Sequence, residues 1–559
     1  MLRAELQVTR FLPFGGRWLF ILLPALWALI PARAQAPQDA NANFLATLAA
    51  LQKADYSEKA AIVDRLTDSG HPSLPAVLTA LLESRLYLRN SDQKVFIARS
   101  ADEDPLHLVD PISLKDAGTA ASGDLTQFET NNALRHQIRI DVSRYQLSSP
   151  DASVRLSAAQ ELLQSLDDPT VALLRNRLKV EKNSRVRNGI ETGLAMAALD
   201  GADPKARLEA IGKLKSSMSQ DVRNRLNSLL DKGSDGNYVE SDPKIRQAAA
   251  AAISQIDGKR NFYSGLETLF FGLSLGSVLV LIAIGLAITF GVMGVINMAH
   301  GELMTLGAYT TYVVQLLMPS HMGSSILVAI PAAFLVAGLT GILIERTIIR
   351  YLYGRPLETL LATFGVSLIL QQAVRSIFSP LNRSVVTPEW MSGSMKINDA
   401  MEITYNRLYI VIFTLIVFAV ILLVLKRTRV GLNIRAVSQN RAMAKAMGIR
   451  TEWVDAATFG LGSGIAGVAG VALSQLTNVG PNLGQSYIID SFLVVVFGGV
   501  GNLWGSLIGG MSMGIVNNLL EPWTGAVLAK IFVLVALILF IQARPRGLFP
   551  PTGRAAEDK

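Results

Sequence analysis

From Leu269 almost to its last residues, the 559-residue chain is cut into apolar runs that are too long and too closely spaced for a core shielded only by its own surface. A helix that crosses a bilayer needs about 20 predominantly apolar residues. Runs of that order fall near 269–290, 303–318, 325–345, 357–379, 405–425, 453–475, 487–500, 503–520 and 524–543. In hydrocarbon every backbone polar group must be paired within its own segment, so this half is expected to fold as about nine spanning helices. The seventh run is short and rich in Gly, a candidate for a re-entrant or broken helix.

Half of all residues are hydrophobic and 17% are charged, but the charges gather in the first half and in a few short loops. The composition therefore describes two unlike parts. The net charge of +8 sits largely at the ends of apolar spans, where Lys and Arg mark the cytoplasmic side rather than a nucleic-acid surface. Arg346, Arg350 and Arg355 follow the third span, Lys426 to Arg450 the fifth, and Arg544 and Arg546 the last. With the first span starting outside, an odd number of crossings places the C-terminus in the cytoplasm. The chain has no Cys, which removes disulfides, thiolate metal sites and Cys nucleophiles.

Residues 1–34 have the layout of a secretory signal peptide: Arg3, Arg10 and Arg17, a short apolar run from Trp18 to Ile30, and small residues around Ala34 and Ala36. The other reading is an uncleaved anchor. Residues 35–260 carry apolar residues at helical spacing, as in Leu45, Leu48 and Leu51, and no run able to cross a bilayer, which predicts an extracytoplasmic helical domain. The tract Ile97 to Phe128 reads as loop-rich with at most a short hairpin. A loose repeat follows, with Asp151 to Arg155, Asn183 to Arg187, Asp203 to Arg207 and Asp242 to Arg246 each leading into a helical pattern. Asp or Asn at that place can accept the free N–H groups of a helix start, so the repeat predicts either HEAT-like stacked helix pairs or a well-capped bundle.

In the membrane half, 265–545, the segment Gly291-Val-Met-Gly-Val-Ile-Asn-Met-Ala-His-Gly-Glu302 sets Asn297, His300 and Glu302 between two apolar runs. Polar groups there either face a water-filled path or cap the ends of neighbouring helices. Phe497 to Asn502 is a second Gly-rich break ending in Asn, which predicts that Asn297 and Asn502 line one path. Thr363 and Gln371 are further neutral polar residues within the spans, while Glu302, Arg375 and Asp490 supply charge. In the basic loop, Asn440 is placed to cap a short helix from Arg441 to Met447, containing Ala444 and closed by Gly448. Such a helix suits either a partner's groove, with Ala444 in the contact, or the surface of anionic lipid.

These three stretches, Gly294 to Glu302, Arg429 to Ile449 and Phe497 to Ser506, together resemble the permease subunits of branched-chain amino-acid and urea ABC importers. The resemblance covers 265–550. It implies a bacterial inner-membrane permease working with a second related permease, two cytoplasmic ATPase subunits and a periplasmic substrate-binding protein. It makes Asn440 to Gly448 the helix that receives the ATPase stroke. The long front domain is similar to the urea branch of that family, which makes urea the expected solute, with a branched-chain amino-acid permease or an ATP-independent solute channel as the alternatives. Urea offers one carbonyl acceptor and four N–H donors, so its path needs neutral partners, whereas an amino-acid zwitterion favours charges or helix termini.

The chain lacks the Gly-x-x-x-x-Gly-Lys-Ser/Thr phosphate loop, so ATP is expected to be used by partner subunits and no cofactor by this one. Gly462 to Gly467 fits Gly-x-Gly-x-x-Gly but lies inside an apolar run, which predicts close helix packing. No metal motif and no nucleophile in a recognisable setting occurs, so catalysis is not expected. Residues 546–559 read as a cytoplasmic tail.

Overall fold

A computed structural model describes residues 36–100, 104–234 and 236–549. The signal-peptide expectation and most of the tail lie outside the described residues. The chain divides into two compact units, the first ending at Leu214 and the second starting at Lys215.

The first unit begins with helices α1 (Ala36–Ala50), α2 (Tyr56–Asp68) and α3 (Leu74–Leu82). Five short strands follow: β1 (Leu86–Arg89), β2 (Val95–Ala98), β3 (Leu106–Val109), β4 (Asp116–Ala120) and β5 (Leu125–Gln127). They form an antiparallel sheet in the order β4-β3-β2-β1-β5. This sheet corrects the expectation of a loop-rich tract. Leu86, Leu88, Val95 and Ile97 pack against the helices, while Tyr87, Phe96 and Ala98 join Leu106 and Leu108 on the other face. Because β1 and β2 bury both faces, they lack the polar alternation that marks a strand in sequence.

Helices α4 (Asn132–Gln146), α5 (Ala152–Glu161), α6 (Asp168–Val180), α7 (Ser184–Ala198) and α8 (Pro204–Leu214) complete the unit. The repeat acquires a physical meaning at their starts. Asp151, Asn183 and Asp203 each accept a backbone N–H two residues on. The Arg closing each motif turns back to carbonyls of the preceding loop: Arg155 to Ser149 and Pro150, Arg187 to Glu181, and Arg207 to Leu199.

The second unit contains α9 (Gln220–Ser228), then α10 (Pro243–Met293), which is capped at Asp242 by the fourth copy of the motif. Fifty-one residues long, α10 reaches about 76 Å at 1.5 Å per residue. It runs unbroken through residues 260–265, where the sequence reading sets the boundary between domains. There follow α11 (His300–Leu317), α12 (Met322–Thr347), α13 (Pro356–Phe378), a hairpin of β6 (Ser394–Asn398) and β7 (Met401–Thr404), and α14 (Tyr405–Arg427). Two short helices, α15 (Arg429–Gln439) and α16 (Arg441–Ala446), precede α17 (Thr451–Ser474), α18 (Leu483–Gly498), α19 (Leu503–Thr524) and α20 (Ala526–Ala543).

Nine helices among the described residues thus occupy the nine apolar stretches, and the chain as a whole is mostly helical, as the sequence implies. Six of the nine are long and apolar enough to cross a membrane. Helices α10 and α17 form the centre, with nearly every residue of Val278–Ala287 and Thr458–Ser474 buried. The Gly-rich run of α17 packs closely, as expected: a Cβ on Gly462 would lie 2.6 Å from the carbonyl oxygen of Gly285. Helices α13, α14 and α20 bury only a narrow stripe and present apolar residues outward.

Candidate functional site: two helix breaks joined by one polar stripe

Helix α10 stops at Met293 because Gly294 takes a left-handed conformation, φ 66°, and its N–H turns back to the carbonyl of Phe290. The next residues do not leave the bundle. His300, which opens α11, places Nε2 3.0 Å from the carbonyl oxygen of Ile282. Ile282 lies eleven residues before Met293, so the chain climbs back about 16 Å along α10 before α11 begins. The first turn of α11 therefore sits halfway along the apolar part of α10.

A second break mirrors the first. After α17 ends at Ser474, residues 475–482 return into the bundle and α18 starts at Leu483. The starts of α11 and α18 touch: a Cβ on Gly301 would lie 2.6 Å from the carbonyl oxygen of Gly484. Two helix N-termini, each carrying partial positive charge, thus meet at one level, the arrangement by which broken helices hold polar solutes.

The sequence reading sets Asn297 against Asn502. The segments 294–299 and 475–482 reach α13 about two turns apart, at Thr363 and at Gln371. Asn502 caps α19 by accepting the N–H of Gly505 at 3.1 Å. Its neighbour Gly501 backs onto Gly291, where an added Cβ would lie 2.4 Å from the Cα of Gly501. Gly291 is nine residues beyond Ile282, about 14 Å along the helix axis. Asn502 is therefore not brought to the level of His300 and Glu302.

Thr359, Thr363, Ser367, Gln371 and Arg375 recur every fourth residue on α13 and so share one face. Thr363 Oγ1 accepts the N–H of Met298 at 3.1 Å, in the first break. Ser367 Oγ donates to Glu302 Oε1 at 3.3 Å, in the first turn of α11. Gln371 Nε2 and Arg375 Nη2 both donate to Asn482 Oδ1, at 3.0 and 2.7 Å, in the second break. One stripe therefore ties both breaks to one helix. The sequence reading names Thr363, Gln371 and Arg375 from this stripe and omits Ser367, the partner Asn482 and the spacing that connects them.

Asn297, His300, Glu302, Thr363, Ser367 and Gln371 are all buried. Several of their polar atoms have no partner in the protein, namely Asn297 Nδ2, His300 Nδ1 and Glu302 Oε2, as does Tyr309 Oη one helix turn pair further on. An unpaired buried polar atom costs about 1–3 kcal/mol. A donor, an acceptor and a ring nitrogen gathered at one helix start can instead hydrogen-bond a small polar solute.

The basic loop forms the short helix that the sequence predicts. Asn440 Oδ1 accepts the N–H of Met443 at 2.9 Å, and Gly448 turns the chain with φ 87°. Arg441 donates to Asp455 Oδ1 at 3.0 Å, which raises its already high affinity for the proton, and lies over the ring of Tyr353 at 4.1 Å. Ala444 does not face outward. It is 5% exposed and packs with Ile434, Val437 and Val454, whereas Met443 and Met447 are 60% and 77% exposed. A partner can therefore reach the two Met side chains and not Ala444. Asp455 belongs to α17, so the short helix is fixed to the rod whose far end leads into the second break.

Residues 268–542 match the family model described as "Branched-chain amino acid transport system / permease component". The high-affinity branched-chain amino acid transport system permease protein LivH of Salmonella typhimurium is 32% identical over 294 residues, which cover 51% of this chain and 94% of LivH. BraD of Pseudomonas aeruginosa, a permease protein of the same printed description, is 30% identical over 296 residues, covering 51% and 96%. A probable branched-chain amino acid transport permease protein of Methanocaldococcus jannaschii is 26% identical over 288 residues, covering 49% and 88%. No solved structure matches the chain.

Proposed function

Because the chain belongs to the family of permease components of branched-chain amino-acid transport systems, we propose that it is the membrane subunit of an ATP-driven importer whose solute passes the two helix breaks. It works with a second related permease, two ATPase subunits that bind the exposed Met443 and Met447, and a substrate-binding protein on the opposite side. The front domain faces that opposite side, and the loop of α15 and α16 faces the cytoplasm, in keeping with its positive charge. The observation that carries this reading is the mechanical one: Arg441 pins α16 to Asp455 on α17, and α17 ends in the break that holds Asn482. A push on α16 then moves the second break against the first. Asn297, His300, Glu302, Thr363 and Gln371 line the path; Asn502 shapes its cytoplasmic end as a helix cap.

A branched-chain amino acid is the solute that the relatives favour by their printed descriptions, and the joined N-termini with Glu302 and Arg375 suit a zwitterion. Urea is a second reading, favoured by the neutral Asn297, Gln371 and Asn482 amides and by a front domain that lies outside the family match at 268–542.

Uptake of labelled leucine and labelled urea, in cells lacking the gene and in complemented cells, with and without ATP depletion, tests all of this. ATP-dependent leucine uptake supports the first reading. ATP-dependent urea uptake untouched by leucine moves the assignment to urea, and uptake that survives ATP depletion removes the importer reading altogether.

A further inference from the structure

A cavity of about 510 Å³ opens beside the second break, between α18, α19 and α20. Its walls carry Ser486 and Asp490 from α18, Asn517 and Glu521 from α19, and Lys530 from α20. Lys530 Nζ lies 3.3 Å from Asp490 Oδ2. Asn517 is 9% exposed, and its Oδ1 has no partner. Leu275 and Leu279 of α10 close the apolar side.

A carboxylate beside an ammonium group, flanked by an uncommitted amide oxygen and an aliphatic wall, is the complement of an amino-acid zwitterion with an aliphatic side chain. Asp490 is mostly covered while Lys530 is 56% exposed, so the pair forms a polar opening among apolar helices, the kind of position that marks solute pathways. Lys530 stands in the second turn of α20, at the end remote from Arg544, and Ser486 stands one turn beyond Asn482 and hydrogen-bonds its carbonyl oxygen at 3.2 Å. The cavity thus leads from the side away from the basic loop to the foot of the second break.

We propose that this cavity is a loading site for an aliphatic amino-acid zwitterion, its carboxylate on Lys530 and its ammonium group on Asp490 and Asn517 Oδ1, occupied before the solute reaches the breaks. The identity of the solute rests on the amino-acid reading given above; the location does not. The absence of Cys makes the test direct, since Ser486→Cys introduces the one thiol in the chain.

The full importer is assembled with this variant, and the thiol is labelled with a methanethiosulfonate reagent in the presence of leucine or urea, while leucine uptake is measured for Asp490→Asn. The expected result is labelling slowed severalfold by leucine and not by urea, with the KM for leucine raised about tenfold and kcat unchanged, the loss of one charge-assisted hydrogen bond. Ala526→Cys and Lys530→Gln serve if the first variants do not fold. Labelling unaffected by leucine at both positions, with leucine uptake intact, overturns the loading site and leaves the cargo reading standing. Protection by leucine in an importer that carries only urea overturns the cargo reading and supports the site. No protection and no leucine uptake overturns both.

Discussion

Glu181 in the first unit and Glu302 in the second are both buried carboxylates, 3% and 2% exposed, and their surroundings are opposite. Glu181 accepts from Arg155, from Arg177 and from the backbone N–H groups of Lys182 and Asn183. Those bonds, Arg155 first among them, hold its pKa down to about 2. Glu302 has one bond, from Ser367, and an Oε2 with no partner. Glu181 is thus committed to structure on both of its oxygens. At the first helix break Glu302 is left open together with Asn297 Nδ2 and His300 Nδ1, and that clustering suits a place where the molecule handles something other than itself.

The contrast is broken most violently by closing the breaks. Gly301→Val puts a side chain where the Gly484 backbone already stands, and uptake is expected to fall to background while the front unit keeps its thermal stability. Uptake in vesicles, scaled to the amount of inserted protein, is the check.

Next in size is the structural carboxylate. Glu181→Ala leaves Arg155 with only the Ser149 and Pro150 carbonyls, and the first unit is expected to lose stability while uptake per folded molecule is unchanged. Limited proteolysis between residues 150 and 214 reads it out. The wild-type pair also sets a pH window. An unfolded Glu titrates near about 4.3, and the folded one titrates at about 2. The stabilisation is therefore full above the unfolded value and lost as pH falls from there through about 2. Asp141 acts in the other direction: burial raises its pKa to about 6, so its contribution is full below about 4 and lost as pH rises through about 6. A stability profile of the first unit that rises from pH 2 to 4 and then declines to pH 6 is the expected outcome.

The smallest effect compares the two Asn residues that the sequence pairs. Asn502→Ala removes a helix cap, about 1 kcal/mol of stability, and leaves uptake within about twofold of wild type. Asn297→Ala removes a buried polar group at the break and should lower uptake severalfold with less effect on stability. Equal effects on uptake would return Asn502 to the same position as Asn297.

Much of the fold was readable because lipid enforces long apolar runs, and the caps of α5, α7, α10 and α16 were readable because Asp or Asn before a helix has one physical use. Asn297, His300 and Glu302 were found for the same reason: polar groups between apolar runs stand out. The meeting of the starts of α11 and α18 is not legible in the sequence, because Gly-rich segments look alike and only the packing brings Gly301 against Gly484. The stripe on α13 was legible in its every-fourth spacing but was read residue by residue. Ala444 was assigned outward because Ala carries no signal about which face of a six-residue helix it occupies. The sheet was hidden by strands of three to five residues, two of which bury both faces.

The most direct test of the contrast is a pair of conservative variants, Glu302→Gln and Glu181→Gln, measured side by side for thermal unfolding and for ATP-dependent uptake. Glu302→Gln is expected to lower uptake about 10- to 100-fold, the weight of one charge-assisted hydrogen bond to the solute, with little change in unfolding temperature. Glu181→Gln is expected to lower the unfolding temperature of the first unit and leave uptake per folded molecule unchanged. A Glu302→Gln importer that transports normally, or one that loses stability as Glu181→Gln does, would contradict the account and make Glu302 a structural carboxylate like the other.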